Sequence, residues 1–386
     1  MKKSYLNIKY ISWHNFLLDF RFYDPILILY FTSIAGSYAG GMSIYSIIFL
    51  SSAIFEVPTG VFSDLVGRKN TLVLGSLATL FSVISYASAS VYPMLVFGAI
   101  LEGLSRSFYS GNNDSLLHDS LKENQLDGDY IKHKGITDSS SQIALAIVAI
   151  VGGVFAVFSY KLVLWLSVIP AILGLLVSLL VVEPKVVTKK HGNVFEHLKE
   201  AIHLFWKNKK LRLISLSGMI GFAQGEAGYQ FRSAFYQTLW PVWAVGLAKA
   251  MGSLGAAASF YWASKVIRKM GEFETLMMAK VYGILTNSIS TFFPTVFSPL
   301  IMSSNSLFYG SGSTASNSLK QKEYTNEQRA TMASLDSLGG SVLFAIVSYS
   351  LGFMADRLTP ATGLLYLQIL SVVSLLIIYY VYRVLK

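Results

Sequence analysis

Three ionisable side chains lie close together near the amino end of the chain, in an apolar and aromatic segment. They are Asp19, Arg21 and Asp24. Such residues inside a membrane-crossing segment are costly and mark substrate or proton pathways by default. In a continuous helix, Arg21 and Asp24 would lie about 60° apart and could form an ion pair, while Asp19 would face elsewhere with Tyr23 and Tyr30. We expect at least one acid to bind substrate or a proton; the alternative is a wholly satisfied internal pair.

A second group of charges is predicted to neutralise itself. Glu56 and Arg106 fall at similar depths in their segments, six or seven residues from the same end, and we predict a structural ion pair between them. Glu102 lies one helical turn from Arg106 and competes for it, because residues at i and i+4 share a helix face. Glu102 and Arg106 are also candidates for binding substrate or a proton.

A third polar face lies in the second half of the chain. Glu226, Tyr229 and Gln230 are spaced at i, i+3 and i+4, so one helix face carries all three. Glu226 is therefore the best candidate in this half for binding substrate or a proton. Lys249 and Lys280 also lie in apolar segments, and we interpret both as snorkelling or paired.

The overall composition predicts an all-α protein that crosses a membrane many times. Of the 386 residues, 53% are hydrophobic and 13% are charged, and the mean hydropathy is +0.52; soluble domains carry about 25% charged residues. No cleaved signal peptide is expected, and the absence of cysteine excludes disulfides and thiolate metal sites. Spans of about 20 apolar residues number twelve: 12–31, 41–62, 71–89, 92–112, 136–158, 161–182, 211–235, 241–267, 275–293, 294–315, 329–353 and 358–382.

Positive charge predicts how these spans are oriented. With the amino terminus in the cytoplasm, 24 of the 31 Lys and Arg residues fall in cytoplasmic segments and three fall in outer loops. This bias follows the positive-inside rule and puts both termini in the cytoplasm. It also accounts for the net charge of +10 without a nucleic-acid partner.

An internal repeat predicts two halves of six helices. Segment 260–269 follows segment 60–69 at an offset of 200 residues, and Arg268-Lys269 then matches Arg68-Lys69. At this offset Ile267 replaces Gly67, so the second loop is expected to lack both glycines and the Asp of the first. The predicted domains are 1–183 and 211–386, joined by a cytoplasmic linker at 184–210. The linker carries an amphipathic helix that lies on the membrane surface or packs on the bundle as a soluble helix.

The loop at 60–69 has the pattern G-x-x-x-D-x-x-G-R-K. We expect Gly60 to allow close helix approach, Gly67 to take a positive φ, and Asp64 to pair with Arg68 across the turn. The pattern, which ends at Lys69, resembles the signature loop between helices 2 and 3 of the major facilitator superfamily.

The resemblance implies a fold, a gating site and a central cavity. In that superfamily Asp and Arg of the loop act as a latch on an acid at the end of helix 4, which here would be Asp114, and on the amino end of helix 11. Helices 1, 4, 7 and 10 line the cavity, and Asn305 on helix 10 would add to its polar lining. The Gly-Pro-rich motif of drug–proton antiporters is not matched, since Gly152-Gly153 comes without proline.

We therefore expect a multi-pass transporter of the cell membrane that is not an enzyme. The buried carboxyls and aromatic side chains predict proton-coupled export of a small amphipathic compound by a monomer in the lipid bilayer. Uptake or uniport is the alternative within transport, and a non-transporting sensor on the same fold is the alternative outside it. No phosphate-binding loop, cofactor or metal site is predicted; His197, Glu200 and His203 in the linker are interpreted as a solvated face.

Overall fold

A computed structural model describes residues 5–185, 205–323 and 329–384, apart from the side chains at 57, 61, 64, 127, 131, 132, 139 and 329–331. None of the described residues lies in a β-strand. The α-helices are α1 Tyr5–Asp19, α2 Leu27–Ala35, α3 Tyr38–Val66, α4 Arg68–Ser88, α5 Tyr92–Tyr109, α6 Asn112–Glu123, α7 Tyr130–Ala156, α8 Tyr160–Leu180, α9 Lys209–Gln237, α10 Val242–Met270, α11 Glu272–Phe292, α12 Ser298–Ser304, α13 Ser306–Glu323, α14 Arg329–Arg357 and α15 Pro360–Val384. The linker residues 186–204, with their predicted amphipathic helix and histidines, and the amino end of the eleventh span at 324–328 lie outside the described residues.

The predicted spans coincide with helices, but some spans contain a break. Among the described residues, six stretches are long and apolar enough to cross a membrane: Tyr38–Glu56, Arg68–Ser88, His133–Ala156, Tyr160–Leu180, Met332–Arg357 and Pro360–Val384. The first predicted span is interrupted between α1 and α2, and the tenth at Asn305, between α12 and α13. Both broken spans carry candidate site residues, so the breaks bear on the site.

Contacts divide the chain into two compact units. In their described parts, unit 1 comprises Met1–Gly36, Ile47–Thr188 and Pro241–Ala250, and unit 2 comprises Ser37–Ser46, Lys189–Trp240 and Met251–Lys386. Each unit thus includes a short helical stretch from the sequence of the other half. The domain boundaries predicted above remain a prediction.

Each unit has an apolar cluster near the predicted cytoplasmic ends of its helices. In unit 1 the cluster joins α1, α4, α6 and the end of α8 through Ile8, Ile11, Leu72, Leu116, Leu117, Leu121 and Val181. In unit 2 it joins α9, α11, α13 and α15 through Ile214, Leu276, Ala315, Leu319, Ile378 and Val381. The two clusters use corresponding helices, as a repeated six-helix arrangement requires.

The loop glycines correct the predicted register of this repeat. Gly67 has a φ of +92° and directly precedes α4, and Gly271 has a φ of +93° and directly precedes α11. The offset between them is 271 − 67 = 204 residues, so the offset of 200 was one helical turn short. It failed because Arg268-Lys269 ends α10, whereas Arg68-Lys69 begins α4. The second loop therefore keeps the turn glycine, contrary to the sequence-based expectation.

Gly60 does not have the role predicted for it. A Cβ atom built at Gly60 meets no heavy atom within 4 Å, so this glycine is not needed for close helix approach. Closer contacts occur at Gly103, where an added Cβ would lie 2.6 Å from the Ile48 carbonyl oxygen. Small residues at such points let the backbones of membrane helices approach each other closely.

Candidate functional site

The candidate site of unit 1 is organised by the break in the first span. Helix α1 ends at Asp19, and a 3₁₀ turn over Asp24–Ile26 precedes α2. Pro25 accounts for this break, because proline lacks the backbone donor that would continue an α-helix and fits the first turn of a new helix. The Asp24-Pro25 pair was the signal in the sequence that could have revealed this break.

A glycine on α7 packs directly against the break. A Cβ atom at Gly152 would lie 1.9 Å from the Phe22 carbonyl oxygen. The next residue, Gly153, faces α10, where an added Cβ would lie 2.8 Å from the Trp243 carbonyl oxygen. The Gly152-Gly153 pair therefore lets two segments approach the backbone of α7.

The ion pairs of the first span differ from those predicted. Arg21 Nη1 lies 3.3 Å from Glu102 Oε1, and Arg21 Nη2 lies 3.9 Å from Asp19 Oδ1. Asp24 is instead 3.5 Å from Lys249 Nζ, which also donates to the Asp24 backbone oxygen at 3.1 Å. The predicted Arg21–Asp24 pair was wrong because its angular argument assumed a continuous helix.

Glu102 is the centre of this charge network. Its Oε1 accepts from Arg106 Nε at 3.1 Å and Nη2 at 2.7 Å, and its Oε2 accepts from the Tyr86 hydroxyl at 3.0 Å. The described residues show no ion pair between Glu56 and Arg106, which corrects that prediction. The i, i+4 spacing on α5 brings Glu102 to Arg106 without any help from packing.

A cavity of about 340 Å³ opens beside this network. Its lining includes Asp19, Arg21, Glu102, Arg106 and Tyr109. Two guanidinium groups and two carboxylates therefore face one space within unit 1. The structure thus brings together four of the residues predicted as substrate or proton ligands, and it places Asp24 with Lys249 instead.

The candidates of unit 2 form separate contacts. Gln230 Nε2 donates to Glu226 Oε1 at 2.7 Å, as the predicted common face of α9 requires. Tyr229 is half-buried on the same helix. Asn305 lies at the break between α12 and α13, where its side chain contacts the backbone of Gly283 closely: an added Cβ there would be 2.9 Å from Asn305 Oδ1. The roles of these residues in binding remain predictions.

The signature loop makes an ion pair with α6, which follows the fourth predicted span, but through a different acid from the one predicted. Arg68 Nε lies 2.7 Å from Asp119 Oδ2 on α6, while Asp114 pairs with Lys134 Nζ at 3.1 Å. The helix breaks at Gly111, whose φ is +69°, and this turn changes which acid faces the loop. The Asp64 side chain is outside the described set, and the latch remains a prediction.

Two acids that the sequence reasoning missed cap helix amino ends. Glu183 accepts from the backbone N–H groups of Arg68 and Lys69 at 2.9 and 2.7 Å. In unit 2, Asp356 accepts from the N–H groups of Tyr38 and Ala39 at 2.7 and 2.8 Å. A carboxylate at a helix amino end satisfies free donors and the helix dipole. No local pattern marks such caps, because each acid comes from a distant part of the chain.

Metal ligands are not grouped in the part of the chain that the structure describes. No three His, Cys, Asp or Glu side chains there could hold one ion. The site is thus made of ion pairs and hydroxyls around a cavity, within a bundle of apolar helices. These features define a multi-pass membrane protein with a polar site inside the bundle.

The family follows from comparison with known proteins. A model of the Major Facilitator Superfamily matches residues 16–348, so the chain belongs to this superfamily. It is a secondary transporter of the cell membrane with the fold of that superfamily, as the signature loop predicted. The family description is that of transporters.

Relatives in sequence carry the same description. The chain is 23% identical over 380 residues to the uncharacterized MFS-type transporter MJ1560 of Methanocaldococcus jannaschii, covering 96% of both chains. It is 21% identical over 335 residues to the MFS-type transporter YxaM of Bacillus subtilis, covering 74% of this chain and 80% of the relative.

Solved structures share the fold. The nucleoside transporter NupG, as a variant, superposes with a TM-score of 0.85 at 14% identity, covering 98% of this chain and 100% of NupG. A D-xylose-proton symporter gives 0.76 at 12% identity, covering 98% of this chain and 97% of the symporter. At these identities the likeness establishes the fold alone.

Proposed function

We propose that this protein is a proton-coupled transporter of a small molecule, and that Asp19 is its proton-exchanging group. The observation that carries the proposal is the contrast between two carboxylates in one cavity. Glu102 is buried and has several donors, whereas Asp19 is 28% exposed and lies 3.9 Å from Arg21. A loosely paired carboxyl at a cavity changes its proton affinity when its access to water changes.

Alternating access provides such a change. A carrier that opens its cavity to one side and then to the other exposes Asp19 to each compartment in turn. Coupling requires that the proton and the substrate influence the same equilibrium, which a shared cavity allows. In unit 2, Glu226 stays the candidate predicted from the sequence for binding substrate or a proton.

Export is the direction predicted from the sequence, and inward co-transport with the proton is the second candidate. One observation favours the second candidate: Asp19 and Arg21 lie in contact, so protonation of Asp19 releases the positive charge of Arg21 for a ligand. A proton and a ligand are then bound together and move in the same direction.

A flux experiment tests the coupling and its direction. Compounds that raise the melting temperature of the purified protein are loaded into or outside proteoliposomes, and a pH gradient of either sign is imposed. We expect flux to follow the gradient in the wild type and in Asp129→Asn, an exposed control, and to become insensitive to it in Asp19→Asn.

Each result has one meaning. Substrate that accumulates in the compartment that protons leave supports export in exchange for protons. Substrate that accumulates in the compartment that protons enter supports co-transport. Wild-type flux that ignores the gradient contradicts proton coupling. Stabilising compounds that give no flux at all support a sensor on the same fold.

A further inference from the structure

We propose that the substrate carries a carboxylate group, and that Arg21, in the break of the first span, binds this group together with Arg106. The proposal rests on the proposed function and names the substrate class for the same cavity. The arrangement of donors and acceptors around the cavity supports it.

Arg21 presents donors that the chain itself satisfies only weakly. A guanidinium group has five N–H donors and no acceptor. The contact of Nη1 with Glu102 is long, at 3.3 Å, Nη2 is 3.9 Å from Asp19, and the buried Nε has no partner among the described residues. The Tyr23 ring centroid lies 5.9 Å from Cζ, and the Tyr23 hydroxyl is a hydrogen-bond partner of Arg21. A half-buried guanidinium with weakly satisfied donors gains strongly from a ligand with two oxygens, which matches its planar fork.

The Glu102 carboxylate is fully engaged by donors of the chain and so does not attract a cationic ligand. Glu102 accepts from both arginines and from Tyr86. A cationic substrate would have to displace these donors to reach Glu102 and would meet two guanidinium groups on the way. An anionic substrate meets N–H donors on the same path. The arrangement therefore selects for negative charge.

The cavity beside Arg21 is large enough for a small molecule. Arg21 belongs to the unwound residues between Asp19 and the turn at Asp24–Ile26, and it lines the cavity of about 340 Å³. Small-molecule sites have volumes of about 300–1,000 Å³. Substrate sites in secondary transporters are commonly formed at interrupted helices. The cavity thus accommodates a small organic acid next to the break.

Asp19 competes with an anionic ligand for Arg21. The groups that face Asp19 are Arg21 and Asp24 from its own span, Arg106 from α5, and the Ser141 hydroxyl from α7. When Asp19 is charged, it shares Arg21 with the incoming anion and repels it. When Asp19 is protonated, both effects vanish. Binding of the anion is therefore expected to strengthen as the pH falls.

The test uses matched pairs of probes of nearly equal size, in which a charged carboxylate is replaced by a neutral amide with one acceptor oxygen fewer. Binding of benzoate, hexanoate and 4-phenylbutyrate, and of their three amides, is measured on the purified full-length protein by thermal shift and calorimetry at about pH 5 and about pH 8. Hydrogen bonds to charged groups predict at least about tenfold tighter binding of the acids than of the amides at the lower pH. Arg21→Gln is expected to remove this preference, Arg21→Lys to retain part of it, and the exposed control Arg357→Gln to leave it unchanged.

A second variant keeps Arg21 in place and so does not depend on how well Arg21→Gln folds. Asp19→Asn imitates the protonated acid, and we expect it to bind the carboxylates at about pH 8 as tightly as the wild type does at about pH 5. A variant that keeps the wild-type pH dependence would overturn the competition. Amides that bind as tightly as the acids, or acids that do not bind at all, would overturn the substrate class.

The two proposals fail separately. The binding measurement uses no pH gradient, so a carboxylate preference with gradient-independent flux refutes proton coupling alone. Gradient-driven flux of neutral compounds, with no carboxylate preference, refutes the anionic substrate alone.

Discussion

Arg68 and Glu272 occupy equivalent positions in the two units, and each is the first residue of a helix that follows a glycine with positive φ. Arg68 pairs with Asp119 at 2.7 Å, and Glu272 pairs with Lys322 at 2.5 Å. The first pair joins α4 to α6 and the second joins α11 to α13, with the charges in opposite order. The repeat therefore keeps an ion pair between these helices, although the residue that begins the first helix is basic in unit 1 and acidic in unit 2.

Reversing the first of these pairs tests whether the charges act as a pair. Arg68→Glu places two acids together, and we expect the free energy of unfolding to fall by about 1–3 kcal/mol, between the values typical of exposed and buried pairs. Adding Asp119→Lys should recover most of the loss. The melting temperature, followed through the six tryptophans, provides the measurement. A double variant no more stable than Arg68→Glu would contradict the pairing.

The turn glycine of the first loop is expected to be intolerant of a side chain. Gly67→Ala forces a φ of +92° on alanine and puts Cβ 2.8 Å from the Glu183 carboxylate that caps α4. Strain of this kind costs about 1–3 kcal/mol. Gly60→Ala is the control from the same motif, because its Cβ meets open space within a helix, where alanine is favoured. Equal melting temperatures for the two variants would refute the assignment.

A side chain at Gly152 should disrupt the break in the first span. An added Cβ would lie 1.9 Å from the Phe22 carbonyl oxygen, so α7 or the break must move. We expect Gly152→Ala to lower the free energy of unfolding by at least about 1–3 kcal/mol, as overpacking does, and to weaken ligand binding at Arg21. Gly135→Ala on the same helix meets no atom within 4 Å and serves as the control. Unchanged stability and binding in Gly152→Ala would show that the contact is not required.

The Asp24–Lys249 pair is expected to be strongly coupled. Lys249 is only 5% exposed, and Lys249→Met leaves Asp24 without this cation. Loss of one partner of a buried pair costs about 3–5 kcal/mol. Combining it with Asp24→Leu should recover much of this cost, and a double-mutant cycle of melting measurements gives the coupling. Lys161→Met, at the exposed start of α8, should have little effect; additive effects at Asp24 and Lys249 would rule out the pair.

Acid should weaken the ion pair of the second loop. Glu272 lies before the predicted span 275–293; burial acts to raise the pKa of Glu272, but the hydrogen bonds from Lys322 and Ser318 outweigh it and hold the pKa below its ordinary value of 4.5. Because the folded-state pKa is lowered, the stabilisation is present above about pH 4.5 and is lost as the pH falls through the folded-state value. Glu272→Gln should flatten this part of the curve of melting temperature against pH. A wild type and variant with parallel curves would contradict it.

The properties that depend on composition and local spacing were determined by the sequence alone. Apolar segments and a one-sided bias of Lys and Arg are sufficient for the membrane class, because transfer free energies act on each segment separately. The i, i+4 spacing of Glu102 and Arg106, and of Glu226 and Gln230, likewise needs only a helix. The conformation of Gly67 followed from its place in the signature loop.

Only the tertiary structure decided which charges pair across helices. Arg21 contacts Glu102 instead of Asp24, and Arg68 contacts Asp119 instead of Asp114. Angular positions predict partners only while a helix is continuous. The first span is broken before Asp24, and the turn at Gly111 separates α6, which carries Asp114 and Asp119, from α5. Beyond a break, the direction of a side chain depends on the packing of neighbouring helices, which sequence spacing does not encode.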